Sequence, residues 1–301
     1  YGESLGLLIE ESRTNLLTNT STPSASNWDL LSSGAAPVAS TSTAPDGSSG
    51  CIQIVSTVQL GGGKRLFTPS ATGDHICSVY ARSRTGAAQN VRCTLSSNLG
   101  SDVQLPANGD WVRLQSDVQN VSAITVKTFG IRAVDSSGCD IDVWGEQAEL
   151  GRFATSYIPT SGTTVTRGAD LLSVITDLPA TGSVYIDAQA FRAKENDTLL
   201  SLKNSSNQKV NLSYVSNNDT FNSLALISSY QGNSKTTLPL PVPTTNRERN
   251  IITYGSNNYQ YGQTSSRYAA SLASSVPSNL NQLSIGHDAV DESLAFSGYI
   301  N

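Results

Sequence analysis

Methionine is absent from this sequence, histidine occurs twice, and only 14% of the 301 residues are charged. Two histidines, His75 and His287, leave little material for histidine-based metal or nucleophile chemistry, and no G-x-S-x-G elbow is present. Lysine and arginine total 19 against 24 aspartates and glutamates, a formal charge of −5, with no basic cluster anywhere. A surface that tracks phosphates needs such a cluster, so nucleic acid is not an expected partner. No apolar run approaches the roughly 20 residues of a membrane-spanning helix, so no membrane insertion is expected. The glycine run Leu60-Gly-Gly-Gly-Lys64 is followed by Arg65 rather than serine or threonine, which excludes a phosphate loop. No signal peptide opens the chain, and Tyr1 with the lack of methionine leads us to expect part of a longer or processed chain.

What is present is alternation. Ile, Val, Leu and Tyr recur at period two between turns rich in Gly, Ser, Asn and Pro, which predicts an all-β protein rather than a disordered one. The length suffices for two domains with their own cores. In the first half, Leu5, Leu7 and Ile9 alternate before Glu10-Glu11. Pro45-Asp46-Gly47 makes a turn before the strand CIQIV. HICSVYARS places Cys77, Val79 and Ala81 on one face, and Val91–Leu95, Asp110–Leu114 and Ile124–Ala133 follow at sandwich spacing. CDIDVWG sets Cys139, Ile141 and Val143 against Asp140, Asp142 and Trp144. The four cysteines, Cys51, Cys77, Cys93 and Cys139, match no zinc or redox spacing and read as buried free thiols.

The second half opens with a strand over Leu171–Ile175. GSVYIDAQAF alternates, and a polar-tipped hairpin joins Thr198–Lys203 to Lys209–Val215. Leu238–Pro243, with three prolines, can only be an edge or a loop. A further hairpin turns around Gly255-Ser-Asn-Asn258, then come Leu283–His287 and Phe296–Ile300. Between the halves, a Ser/Thr/Gly/Pro-rich stretch has the composition of a domain boundary.

The run WGEQAELGRFATSYIPTSGTTVTRGAD, ending at Asp170, resembles a segment of bacteriophage tail-fibre and tail-associated proteins. There it ends a carbohydrate-binding-module-like jelly roll and precedes a concanavalin A-like (laminin G-type) lectin domain. GESLGLLIEESRTNLL from Gly2, then APDGSSG, SVYARS and GDWVRL, fall in the order of the same module. Beyond Asp170, SVYIDAQAF, RNIITYGSNNYQY, NLNQLSIGHDA and FSGYI match the second domain in order but more loosely. The family normally continues past FSGYI, so a truncated second sandwich is expected. The resemblance implies two tandem antiparallel β-sandwiches: residues 1–160 as a jelly roll, 161–170 as linker, and 171–301 as a concanavalin A-like sandwich. It further implies a homotrimer on a virion, assembled in bacterial cytoplasm and bound to host surface polysaccharide and other virion proteins.

Candidate sugar contacts are aromatic rings that stack on pyranose faces and amides that bond to hydroxyls. In the second domain the hairpin tip supplies Asn257, Asn258, Tyr259 and Tyr261. In the first domain Trp144, on the polar face of its strand, is the more plausible exposed tryptophan, with packing under the following loop as the alternative. Trp28 is expected to cap the sandwich and Trp111 to lie in the core. Asp140 and Asp142 read as a solvated or cation-binding sheet face, and no cofactor is expected beyond a structural Ca2+ there. Glycoside hydrolysis needs two carboxylates converging on a cleft. Glu146 with Glu149, and Asp288 with Asp291 and Glu292, sit in polar loop-like sequence, and the acidic strand pattern of laminarinase-type enzymes is absent. The expectation is therefore adhesion without catalysis. The competing readings are a purely structural decoration protein and a sugar-binding module of a polysaccharide-degrading enzyme.

Overall fold

A computed structural model describes residues 6–32, 34–190, 197–217, 221–230, 233–236, 240–241, 248–255, 258–263, 268–273, 279–287 and 298–300. Strands are numbered in chain order. The first are β1 (Leu7–Ile9), β2 (Arg13–Asn15), β3 (Asp29–Leu31), β4 (Ala35–Thr43), β5 (Ser49–Ser56), β6 (Gly62–Phe67) and β7 (Gly73–Ser83). Next come β8 (Gln89–Leu95), β9 (Asn98–Leu99), β10 (Val103–Leu105), β11 (Val112–Gln115), β12 (Gln119–Val121), β13 (Lys127–Ala133), β14 (Cys139–Leu150) and β15 (Val165–Arg167). The remainder are β16 (Leu172–Ile175), β17 (Gly182–Ala190), β18 (Thr198–Asn204), β19 (Lys209–Asn217), β20 (Phe221–Tyr230) and β21 (Asn233–Thr236). The last are β22 (Leu240–Pro241), β23 (Glu248–Gly255), β24 (Asn258–Gln263), β25 (Tyr268–Ala273), β26 (Leu280–Ile285) and β27 (Gly298–Ile300).

The chain forms two compact bodies, each an antiparallel β-sandwich. The body Arg13–Arg167 stacks the sheet β10-β8-β13-β6-β3 on the sheet β11-β7-β14-β5-β4. Alternation sends Ile52 and Ile54, Val79 and Ala81, Val91 and Leu95, Phe129 and Ile131, and Ile141 and Val143 into one shared core. The cysteines follow that pattern. Cys77, Cys93 and Cys139 lie in the core as read, whereas Cys51 packs on the outer face with Ala44 and Trp144. All four are buried free thiols, and burial pushes Cys51 up to about 11 and Cys139 to about 12. Trp28 caps the core with its edge against Phe129, ring centroids 5.6 Å apart. Arg65 and Glu146 form an ion pair between the two sheets, both side chains nearly inaccessible. Burial pushes the Glu146 carboxyl up, and the Arg65 guanidinium partly offsets it.

The body Tyr1–Ser12 with Gly168–Asn301 pairs the sheet β1-β27-β17-β23-β24-β25 with the sheet β16-β26-β18-β19-β20-β21. Here the structure departs from the sequence reading, which put Leu7 and Ile9 in the jelly roll. Leu7 and Ile9 instead register with Ile300 and Gly298, and β27 lies between β1 and β17. Ile9 is buried in this second core with Ile186, Leu200, Leu212, Ile252 and Ile300. Gly286, at φ +77°, passes so close that a Cβ would stand 2.8 Å from Ile9 Cγ2. The reason is compositional: a short apolar strand carries no label for the sheet it joins, and the contact partner lies almost the whole chain away. The proline-containing β22 pairs with β20 off the main path of its sheet, as an edge segment should.

The segment read as linker is also ordered. β15 pairs with β2, Val165 opposite Asn15 and Arg167 opposite Arg13. Asn15, fully buried, donates from Nδ2 to the Glu146 and Ile158 carbonyls at 3.3 and 2.9 Å. Its Oδ1 accepts from the Leu17 and Ala148 amides at 3.1 and 3.2 Å. One side chain thus satisfies four backbone groups from three stretches of chain. Thr20 and Thr160 exchange amide-to-hydroxyl bonds of 3.1 Å each, and the Tyr157 hydroxyl donates to Thr20 Oγ1 at 2.9 Å. Arg13 donates to the Leu150 carbonyl and lies over the Phe153 ring, 4.8 Å from its centroid. The motifs ESRTNLL and TSYIPT are therefore two halves of one clasp.

Removing the Asn15 side chain strands four buried polar groups. Asn15→Ala is expected to destabilise this body by about 2–4 kcal/mol. All three tryptophans lie in Arg13–Arg167, so urea unfolding read by tryptophan fluorescence reports on this body alone, and a lowered midpoint with unchanged slope is the expected result.

Candidate functional site

The outer face of the sheet β11-β7-β14-β5-β4 carries a constellation of linked polar and aromatic side chains. Register builds it in rows. Asp142 of β14 stands opposite Arg82 of β7 on one side and Gln53 of β5 on the other. In the next row Trp144 stands opposite Tyr80, which stands opposite Arg113 of β11. Alternation predicts this face for Asp140, Asp142 and Trp144, and that is where they lie.

What covers the face was not legible. A β-bulge between Trp144 and Gln147, with Gly145 at φ +64°, adds a residue to β14. Beyond it Glu146 turns inward to Arg65, while Gln147 and Glu149 hold down residues 152–160. Gln147 Nε2 donates to the Thr155 and Ser156 carbonyls, and its Oε1 accepts from the Ile158 amide at 2.6 Å. Glu149 accepts from both the amide and the hydroxyl of Thr155. Arg113 donates to the Thr155 carbonyl and lies over the Tyr80 ring. The fastened segment brings Tyr157 over Trp144, ring centroids 4.6 Å apart, and Tyr80 closes from the other side at 5.6 Å. A Cβ at Gly145 would stand 3.3 Å from Tyr80 and 3.6 Å from Tyr157, so only glycine suits both the turn and the closing rings.

This corrects two expectations. Trp144, expected to be exposed, is 6% exposed and belongs to a buried cluster, so it offers no stacking platform. Trp111, expected in the core, is half-buried at the sheet margin just before β11, with the Arg82 guanidinium 5.0 Å from its ring centroid. The carboxylates Glu146 and Glu149, read as solvated loop residues, are 1% exposed on β14 and already engaged. Neither is free for acid–base work. Asp288, Asp291 and Glu292 lie outside the described residues, as does Asn257. The backbones of Asn258, Tyr259 and Tyr261 lie on β24, opposite Gly255, Tyr254 and Ile252 of β23.

The open half of the face runs from Trp111 to Asp140. Asp142 is fully buried and holds two guanidiniums. Arg84 Nη1 donates to its Oδ1 at 2.7 Å and Arg82 Nε to its Oδ2 at 3.2 Å. Arg84 Nε also reaches Asp140 Oδ1 at 3.2 Å, where Gln53 Nε2 donates at 2.9 Å, and Arg84 Nη1 donates to Ser40 Oγ at 3.0 Å. The cations at this face are therefore arginines, where the sequence reading left room for Ca2+. Burial pushes the Asp142 carboxyl up, but Ser42, Ser40 and Arg84 together hold it below the ordinary value. The bond to Asp142 in turn raises Arg84. The result is a charge-balanced lattice of planar hydrogen-bonding groups beside one accessible indole. At its end a cavity of about 310 Å³ shares Val55 and Asp140 with the face and is lined further by Thr85, Gln89, Asp135 and Ser137. Gln89 is fixed there by bonds to Ser83 Oγ, Thr85 Oγ1 and both backbone groups of Asp140.

No protein-family model matches this sequence, and no curated protein matches it. Among solved structures, the N-terminal CBM22-1–CBM22-2 tandem domain of Paenibacillus barcinonensis Xyn10C is similar at TM-score 0.39 and 12% identity, covering 93% of this chain and 100% of that one. Domains LG4-5 of the mouse laminin α1 chain follow at TM-score 0.32 and 9% identity, covering 83% of this chain and 87% of theirs. The LG1-3 region of the laminin α2 chain is similar at TM-score 0.30 and 10% identity, covering 81% and 63%. These likenesses are too distant to carry an argument about activity. The class rests on the chain's own topology: an all-β protein of two antiparallel sandwiches.

The buried Asp142 makes stability acid-sensitive. Its folded pKa lies below the unfolded value of about 3.9, so its contribution is present above that pH and lost as pH falls through the folded value. Urea midpoints measured from pH 6 down to pH 2 are expected to fall more steeply for the natural protein than for Asp142→Asn, whose curve lacks this component.

Proposed function

We propose that this chain is an adhesive, non-catalytic part of a bacteriophage virion appendage, and that its first sandwich binds host surface glycan on the open half of the outer face. The observation that carries this reading is the row Trp111–Arg82–Asp142–Gln53. A partly exposed indole offers apolar surface to a pyranose ring, while the guanidiniums held in place by the buried Asp142, with the Asp140 carboxylate and Gln53 amide beside them, match pairs of sugar hydroxyls. Pre-organisation favours such a face, because the bonds that fix the arginines exist before ligand arrives. The adjoining cavity has room for one sugar unit at a chain end or branch. The ordered motifs from Gly2 to Asp170 support the virion setting, and with it a trimer whose copies multiply weak contacts and pack against other virion proteins. The β24 hairpin with Asn257, Asn258, Tyr259 and Tyr261 belongs to the proposal as a second contact.

A structural role has one observation in its favour. The edge strand β16 exposes Leu172, Val174 and Ile175, with Leu171 just before it, and Ile175 is 79% exposed. Apolar side chains on both faces of a sheet edge suit packing against a neighbour rather than water.

Binding of the intact oligomer to host cells and to their purified surface polysaccharide separates the two. Saturable binding weakened about tenfold (~1.4 kcal/mol) by Trp111→Ala or Arg82→Ala is expected. Loss through Tyr259→Ala instead moves the site to the second sandwich. No binding by the folded oligomer leaves the structural reading in place.

A further inference from the structure

Of the two histidines in this chain, His75 is placed where water does not reach it. The ring is fully buried near the start of β7. Alternation turns it to the same side of the strand as Cys77 and Val79, toward the core. Its Nδ1 lies 3.0 Å from the Gly73 carbonyl oxygen, which can only accept. Nδ1 therefore carries the proton of the neutral ring, and Nε2 is left as a bare acceptor. Nε2 is buried and has no partner among the described residues. Directly across the strand pair stands Gln119 of β12, whose Oε1 is likewise buried without a partner among the described residues. Two acceptors on cross-strand neighbours cannot bond to each other.

The charged groups around the ring give an imidazolium no buried counter-ion. Asp74 precedes it on β7 and points to the other side of the strand, where it accepts from Asn120 Nδ2 at 2.9 Å and pairs with Arg152 at 3.4 Å. Lys127 of β13 acts from the facing sheet and donates to Thr125 Oγ1. On β14 the apolar Leu150 stands opposite His75, and Glu149 lies on the outer face, bonded to Thr155. Burial outweighs the Gly73 bond and Asp74, and holds the ring below its ordinary pKa, so it is uncharged at neutral pH. The wall that opens at least cost is β12. It is three residues long, lies off the main path of its sheet, and is joined to β7 through Gln119, Asn120 and Val121 alone. Residues 122–126 behind it are loop, with Ile124 and Val126 exposed. Lifting such a segment admits water to Nε2 and breaks far fewer contacts than unfolding the sandwich.

We infer that His75 and β12 form an acid-operated latch: the strand lies closed over the neutral ring, and protonation at Nε2 releases residues 117–126 while the two sheets stay folded. The proton binds the Nε2 lone pair, and the imidazolium so formed is hydrated only when β12 lifts. With β12 lifted the ring titrates near its ordinary value of about 6.5, and with β12 closed it titrates lower. Closure is therefore fully stable above about pH 6.5 and is lost as pH falls toward the closed-state value, by up to about tenfold per pH unit. Asp142 titrates below about 3.9, outside this window. Release uncovers the buried Val121 beside the exposed Ile124 and Val126, an apolar strap presented only in acid.

Hydrogen exchange of the intact chain from pH 7 to pH 5, corrected for the intrinsic pH dependence of exchange, tests the latch. Protection of the β12 amides that bond to β7 is expected to fall about tenfold over this range, while that of Val79 and Ile131 in the core holds. His75→Phe keeps the bulk of the ring and removes its titration, so its β12 protection is expected not to change with pH. Gln119→Glu sets a carboxylate opposite the ring as counter-ion and is expected to keep β12 closed at pH 5. Tryptophan fluorescence shows whether each variant folds, and Gln119→Glu alone decides the matter if His75→Phe does not. Protection at β12 that ignores pH in the natural protein overturns the latch, as does an equal fall in a folded variant. A fall shared by Val79 and Ile131 also overturns it, because acid then weakens the whole sandwich rather than one strap.

Discussion

Everything distinctive about the first sandwich depends on one buried amide. Asn15 bonds to backbone from β14, from residues just after β2 and from the segment around Ile158, and no hydrophobic contact could hold those three in one geometry. Buried polar groups that are fully satisfied specify a single arrangement, because every alternative strands a donor or an acceptor. The clasp sets the path of residues 152–160, that path sets Tyr157 over Trp144, and the covered half of the sheet determines which half stays open. The position of the candidate binding face is thus a consequence of an asparagine on a different strand.

Sandwich class, the faces of most strands and the burial of the cysteines were legible because period-two alternation encodes them directly. Asp140, Asp142 and Trp144 were assigned to one face for the same reason, correctly. Exposure was not legible, because it depends on what arrives from elsewhere in the chain. Trp144 and Trp111 exchanged roles once residues 152–160 folded over one and left the other at the margin. Glu146 was misread because the bulge at Gly145 reverses the alternation, and positive φ at a glycine leaves only a weak trace in sequence. Had Gly145 been read as a bulge, the inward turn of Glu146 and its need for a buried cation would have followed.

The two outer faces show how a protein of low charge density uses its few charges. A fully buried Asp142 carries the cost of its own desolvation by holding Arg82 and Arg84 rigid, so the face presents fixed donors with little net field. On the other sheet Arg92 and Arg132 stand opposite each other, Arg92 held by a half-exposed Asp102 and Arg132 by the Leu60 carbonyl.

The pairing of Leu7 with Ile300 has a consequence for how the molecule comes into being. Of the described strands a ribosome delivers β1 first and β27 last, so β1 waits through the synthesis of the whole Arg13–Arg167 sandwich before its partner exists. The sandwich Arg13–Arg167 has all its strands once β15 is made, whereas the other carries the entropic burden of a contact spanning nearly the full chain. During that interval Ile9 has no core to enter. The sheet holding β1 and β17 is therefore complete only when the chain has been made through to its last described strand.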